Sequence, residues 1–226
     1  MQTFDRFAEH YDDWFKTGLG KYVLHYEKEL VLELAAPRPG DKVLDIGIGT
    51  GIFAVELMKY KTEITGIDVS ERMLEIARSK GLTNVAVGDA VSLDFPDETF
   101  DLVISVTALE FIKEYEKAIS EMVRVCKKGG RVVVGTLGSG SLWALKRGRA
   151  ARKDAGSVFR QARFYSFGEL KRLAETFGYK SVVKGAVFAL PFDNAFCVST
   201  GRLMEKICQS LFPSRGAFLA FRIEKT

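Results

Sequence analysis

The sequence predicts an α/β protein on a doubly wound, mostly parallel sheet of seven strands, and three observations carry that prediction. From Lys42 onward, short apolar runs alternate with stretches whose apolar residues recur at helical spacing. The runs are apolar throughout, as parallel strands covered on both faces are. The run at 43–46 opens into Gly47-Ile48-Gly49-Thr50-Gly51, with a helical pattern (Phe53, Ala54, Leu57, Met58) directly behind it.

In chain order, Phe4, Phe7, Ala8, Tyr11, Trp14 and Phe15 form one helical face, interrupted by Gly18 and Gly20. A second stripe (Tyr22, Val23, Tyr26, Leu30, Leu34) runs to the stop at Pro37-Arg38-Pro39-Gly40. Together they predict a helical lid over 1–36. Strands are expected at 42–47, 63–68, 84–88, 101–107 and 131–137, with helices at 51–59, 70–79 and 113–126 between them. Short right-handed crossovers then fix the doubly wound order. Ser166-Phe167-Gly168-Glu169 is a capping box opening a helix to about 177. The stretches 181–190 and 218–225 read as closing strands, with antiparallel pairing at the far C-terminal edge. The 191–216 insertion is expected to help wall a substrate pocket. The expectation is a single domain over 1–226, with a core at 37–137 and substrate-side elements over 138–226.

Glycine lets the turn take positive φ and lets a ligand approach the backbone, while the following helix aims free N–H groups at the same place. A dinucleotide fingerprint needs glycine at position 52, where this chain has Ile52. Asp45, two residues before the first glycine, would set negative charge beside a pyrophosphate. A ligand with a positive group fits better. Asp45 and Gly47, Asp68, Asp89 and Thr107 all fall at predicted carboxyl ends of strands, where doubly wound sheets bind ligands.

The segment VLDIGIGTG at 43–51 resembles the first motif of class I S-adenosylmethionine-dependent methyltransferases, of the methyltransferase type 11, ubiquinone/menaquinone group. Later segments agree in order: ITGIDVS at 64–70, ERMLEIA at 71–77, Asp89-Ala90, and FPDETFD at 95–101 leading into Leu102-Val103-Ile104-Ser105. The resemblance spans roughly 37–137 and implies a Rossmann-like fold, S-adenosylmethionine as cofactor, S-adenosylhomocysteine as product, and methyl transfer to a small-molecule acceptor by direct displacement.

Roles follow on that footing. Asp68, beside Val69, can accept from both ribose hydroxyls, although a turn acid is the plainer alternative. Asp89 can accept from the adenine amine while the Ala90 N–H donates to the ring; the alternative is an ordinary turn aspartate. Met73 packs on the adenine or simply in the core. The resemblance implies that Asp45 orders the turn of Gly47, Gly49 and Gly51 and meets the cofactor's ammonium, that Tyr11 of the Tyr11-Asp12 pair closes over the cofactor, and that Thr107 faces its methionine end. Glu110 is a base candidate or a helix-start acid. Tyr11 and His10 are further catalytic candidates. Alignment and exclusion of water suffice for much of such chemistry, so no triad is expected.

Composition bounds the rest. Two histidines (His10, His25) and three scattered cysteines (Cys126, Cys197, Cys208) predict neither a metal site nor a disulfide framework. No leader or membrane span is legible, so the expected location is the cytoplasm. The net charge of +4 is uneven: residues 140–172 hold nine Lys/Arg against Asp154 and Glu169. Three readings of this stretch stay open: a solvated helix face, a patch for an anionic substrate or peripheral contact with a lipid surface, and an RNA contact, the last unsupported by any RNA-binding motif. Two other functions also stay open, a nucleotide-dependent oxidoreductase and a non-catalytic cofactor-binding or regulatory protein.

Overall fold

The computed structural model describes residues 2–177 and 179–226. Seven strands form one sheet: β1 (Lys42–Ile46), β2 (Glu63–Asp68), β3 (Val85–Val87), β4 (Phe100–Val106), β5 (Cys126–Leu137), β6 (Lys180–Ala186) and β7 (Phe218–Glu224), in the order β3-β2-β1-β4-β5-β7-β6. The strands from β3 to β5 pair in parallel. Strand β7 runs antiparallel to both β5 and β6, so the antiparallel strand lies one place in from the edge that β6 forms.

The chain winds outward from β1 to β3 and then returns to lay β4 beside β1. The order reverses between those two strands, which opens a crevice at their carboxyl ends. Helices α3 (Ala54–Met58), α4 (Glu71–Ser79) and α5 (Tyr115–Val125) make the crossovers. Ser70 caps α4, its hydroxyl accepting from Met73 N at 3.3 Å.

Alternation along the central strands sends one set of side chains to each face. Val43, Leu102, Ile104, Phe218 and Ala220 pack with α2 (Gly18–Ala35), while Leu44, Val103, Leu219, Phe221 and Ile223 pack with α5 and α7 (Phe167–Glu175). The capping box of α7 is complete, Glu169 N donating to Ser166 Oγ at 3.2 Å and Ser166 N to Glu169 Oε2 at 2.7 Å. Buried Arg131 donates to the carbonyls of Ala35 and Ala36 and pairs with Asp41, so its charge sits where the α2 dipole is negative. Cys126 and Cys197 are buried, Cys208 is half-buried, and all three are free thiols.

The N-terminal segment departs from a regular α-helix. A short helix α1 (Gln2–Asp5) is followed by a 3₁₀ stretch, Ala8–Lys16, and α2 begins at Gly18 behind the Thr17 cap. The reason is close approach: a Cβ on Gly20 would lie 2.0 Å from the Trp14 carbonyl oxygen, so glycine lets the 3₁₀ stretch fold back against the helix start.

The 191–216 insertion also differs from expectation. It forms a long helix, α8 (Ala195–Leu211), packed on α2, and contributes nothing to the cavity described below. Buried Glu205 holds it there, accepting from the Tyr22 hydroxyl and from the Val187 and Phe188 amides, the last two at 2.7 and 3.0 Å. No helix among the described residues is long and apolar enough to cross a membrane.

Candidate functional site

A cavity of about 480 Å³ lies in the crevice at the β1/β4 reversal. Its floor is the turn after β1, with Gly47 and Gly49; one wall is the end of β2 and the start of α4 (Asp68, Val69, Met73); another is Gly88, Asp89 and Ala90. Thr107, Ala108 and Phe111 close the β4 side, and Phe4 and Tyr11 of the N-terminal segment cover it.

The local conformations explain why the crevice stays open. Gly47 has φ +72°, and a Cβ there would lie 2.4 Å from Ala108 Cβ; only glycine lets the two loops meet. Gly49 lines the cavity with φ +54° and nothing within 4 Å of the place its Cβ would occupy. Thr107 takes φ +52°, a conformation a β-branched residue rarely adopts, which marks the end of β4 as a strained site. Gly51 points away, toward Leu82, and serves packing.

Asp68 uses one oxygen to accept from Gly49 N and the other from Ser70 N, both at 2.9 Å. It is thus the turn acid of the plainer reading, and the same carboxylate borders the cavity. Asp45 is buried in β1 behind the turn and does not line the cavity; burial, and then the nearby Asp68, push its carboxyl up to about 8. Burial also raises Asp68, against the pull of its backbone amide partners. Carboxyls gathered behind and beside the turn favour a cationic ligand over a phosphate. Asp89 is exposed and accepts from Val91 N at 3.1 Å, and Ala90 beside it is buried.

The N-terminal segment is tied down over this site. Asp5 accepts from Ser70 Oγ at 2.5 Å, and Asp12 accepts from Thr50 Oγ1 at 2.8 Å while pairing with Lys80 at 2.5 Å. Phe4 meets Phe111 edge to face at 4.9 Å. Tyr11 lies against Thr107, and burial pushes its phenol up to about 12.

The other catalytic candidates lie elsewhere. His10 is on the outer surface, paired with Asp13 at 3.1 Å, and does not reach the cavity. Glu110 is buried beside the cavity without lining it; Thr136 Oγ1 donates to its Oε2 at 3.1 Å, and burial lifts its carboxyl to about 7. The resemblance places the loop from Thr107 to Phe111 at the cofactor's methionine end, and Thr107, Ala108 and Phe111 do line the cavity; sequence reasoning missed Ile112, Lys113, Glu114 and Gln161 in the lining, and Glu27 and Arg147 behind it. Nothing local marks Gln161, which comes from a turn far along the chain.

Comparison with known proteins gives this geometry its context. The family model described as a methyltransferase domain matches residues 44–134. A solved structure from Thermotoga maritima, described as a SAM-dependent methyltransferase and possible histamine N-methyltransferase, is 30% identical, covers 99% of both chains and superposes with a TM-score of 0.76. The chain belongs to the S-adenosylmethionine-dependent methyltransferases. Within that family, the uncharacterized protein MJ1123 of Methanocaldococcus jannaschii is 32% identical over 80% of this chain and 83% of its own length. A phosphatidylethanolamine N-methyltransferase of Cereibacter sphaeroides is 45% identical over 42% of this chain, which spans 50% of that relative's length. The methyltransferase assignment removes the oxidoreductase alternative, in keeping with Ile52 and with the carboxyls around the turn. It also makes S-adenosylmethionine the cofactor, and the paired carboxyls and the open Gly49 position fit a ligand that carries a sulfonium and an ammonium.

Proposed function

We propose that this methyltransferase seats S-adenosylmethionine across the carboxyl ends of β1, β2 and β4 and methylates a small molecule admitted under the N-terminal lid. The observation that carries the reading is the Asp68 carboxylate, fixed by the Gly49 and Ser70 amides at the cavity wall, with lone pairs left for the ribose hydroxyls. Asp89 and the Ala90 N–H would take the adenine edge, with Val69 and Met73 against its ring. Gly47 and Gly49 give the backbone approach to the methionine portion, and Asp45 supports its ammonium from behind the turn.

When bound, S-adenosylmethionine supplies an electrophilic methyl group. This chain's residues align and enclose. Tyr11, Phe4 and Phe111 exclude water, and Thr107 borders the end of β4 where an acceptor must approach. Glu110 is the candidate to take up a proton, since its carboxyl is tuned near neutrality. The lid (1–36), the core (37–137) and the remainder (138–226) divide the work as closure, cofactor binding and acceptor selection.

The outer face of α6 (Leu142–Lys153) supports a finer reading. Leu142 and Leu145 are exposed beside Lys146, Arg149, Arg152 and Lys153, the pattern of a helix lying against an anionic or lipid-like surface. We propose peripheral contact of this face with such a surface, checked by sedimentation with anionic and zwitterionic vesicles.

Calorimetric titration with S-adenosylmethionine, S-adenosylhomocysteine and NADH tests the site. Binding of the first two alone is expected; binding of NADH alone overturns the reading. Turnover against an acceptor panel then tests catalysis.

A further inference from the structure

Close to Tyr11, three ionisable side chains from distant parts of the chain come within electrostatic reach of one another. Glu27 comes from α2, Glu110 from the loop after β4, and Arg147 from α6. Glu27 and Glu110 are both buried. Arg147 does not join the exposed basic face of its helix: it turns inward, its guanidinium 4.9 Å from the Trp143 ring centre and 5.4 Å from that of Phe159. The fields of the three reach one another and the Tyr11 hydroxyl, yet among the described residues Arg147 forms no ion pair with either carboxyl.

One atom shows that the space is incomplete. Thr136 holds Glu110 Oε2, which turns Oε1 away from that contact, and Oε1 is buried with no hydrogen-bond partner. A buried carboxyl oxygen left unsatisfied is destabilising and needs a reason. Arg147, by contrast, is already accommodated between two aromatic faces. What the space lacks is a donor for the carboxyls.

We infer that the acceptor subsite lies among Tyr11, Glu27, Glu110 and Arg147 and takes a small amine, bound as its ammonium between Glu110 Oε1 and Glu27 and made nucleophilic when the Glu110 carboxylate takes its proton. The inference rests on the methyl-transfer reading and deepens it. An anion here would meet two carboxyls for one guanidinium, whereas an ammonium meets two acceptors beside the Tyr11 ring. Tyr11 joins the two sites, since it lines the cofactor cavity and its hydroxyl, against Thr107, feels the fields of Glu27 and Glu110.

The test uses the full chain and three near-isosteric probes, benzylamine, benzyl alcohol and benzoate, titrated calorimetrically with and without S-adenosylhomocysteine. Benzylamine should bind about tenfold or more tightly than the alcohol, the worth of a charge-assisted hydrogen bond, and benzoate should not compete. Glu110→Gln should erase the preference of amine over alcohol while S-adenosylhomocysteine binds as before. Glu27→Gln should weaken it in the same sense, and serves if the first variant fails to fold. Equal binding of amine and alcohol, preference for benzoate, no binding of any probe, or an amine preference untouched by these variants overturns the inference. Loss of S-adenosylhomocysteine binding with the amine preference intact would instead overturn the cofactor site alone.

Discussion

Two pairs of carboxyls lie around the site of Tyr11, all buried except the half-buried Asp68, and they are held in different ways. Asp45 and Asp68 belong to adjacent strands, and backbone amides from the glycine turn and the start of α4 fix Asp68. Glu27 and Glu110 come from a helix and a loop far apart in sequence, and among the described residues only Thr136 holds either by a side-chain hydrogen bond. The first pair is organised by backbone geometry, which leaves little room to vary. The second is organised by side chains, which a few substitutions could retune. That contrast suits a cofactor common to a family on one side and an acceptor particular to one member on the other.

The backbone half should break hardest. Gly47→Ala forces a side chain into φ +72° and sets its Cβ 2.4 Å from Ala108. The backbone strain alone is worth about 1–3 kcal/mol, and the loops must part as well. The expected outcome is a folded but less stable protein with no calorimetric signal for S-adenosylhomocysteine. Gly49→Ala, whose Cβ meets nothing in the protein, should keep more stability and still lose affinity; equal behaviour of the two would erase the distinction between loop contact and ligand contact.

Asp68→Ala comes next. Losing the carboxylate frees the Gly49 and Ser70 amides and removes the proposed ribose acceptor. Cofactor binding should weaken by about 1.5–3 kcal/mol, the scale of hydrogen bonds to a charged group. Unchanged affinity in a folded variant would leave Asp68 as a turn acid only.

The two halves share one pH response. Asp45, Glu27 and Glu110 move from ordinary values of 3.8, 4.5 and 4.5 to about 8, 8 and 7, burial being the main cause in each. The folded chain therefore keeps protons that the unfolded chain releases, so this contribution is full below the ordinary carboxylate range and is lost as pH rises toward 8. Carboxyls lowered by ion pairs, such as Glu56 and Glu121, act in the opposite sense but below that window. Denaturant unfolding of the ligand-free protein should show stability falling between about pH 5 and pH 8, and Glu27→Gln should flatten the slope. Stability that rises over that interval would contradict the burial of these groups.

What was legible in the sequence follows the same division. Period and glycine spacing marked the strands, the β1 turn and the carboxyl ends, because backbone-determined features leave local patterns. The 3₁₀ turn at Ala8–Lys16 left none, since its aromatic stripe reads equally as an α-helix and the deciding contact, Gly20 against the Trp14 carbonyl, exists only after folding. Likewise Glu205 looks like any helix glutamate until Tyr22, Val187 and Phe188 gather around it. The basic stretch showed its charge but not its direction, and Arg147 faces the interior while its neighbours face solvent.

The lid should show a smaller effect, because its ties are partly exposed. Asp12→Ala removes the Thr50 hydrogen bond and the Lys80 pair at once. The expected cost is about 1 kcal/mol, read as faster cleavage of the N-terminal segment by a nonspecific protease and faster release of S-adenosylhomocysteine. Protection equal to wild type would mean that the aromatic contact between Phe4 and Phe111 holds the lid unaided.

The smallest effect belongs to the outer charges of α6. Arg149 and Arg152 are exposed, face away from both carboxyl pairs and form no ion pair among the described residues. Replacing both with Gln should leave S-adenosylhomocysteine affinity and the amine preference unchanged, because exposed charges at that distance are screened within about 8–10 Å of saline solvent. The same double variant should lose binding to anionic vesicles, since each basic residue near such a surface contributes about 1 kcal/mol. A change in cofactor affinity would show that the outer face communicates with the site, with Arg147 on the same helix as the link. A vesicle signal that survives would move the surface contact to the exposed Leu142 and Leu145.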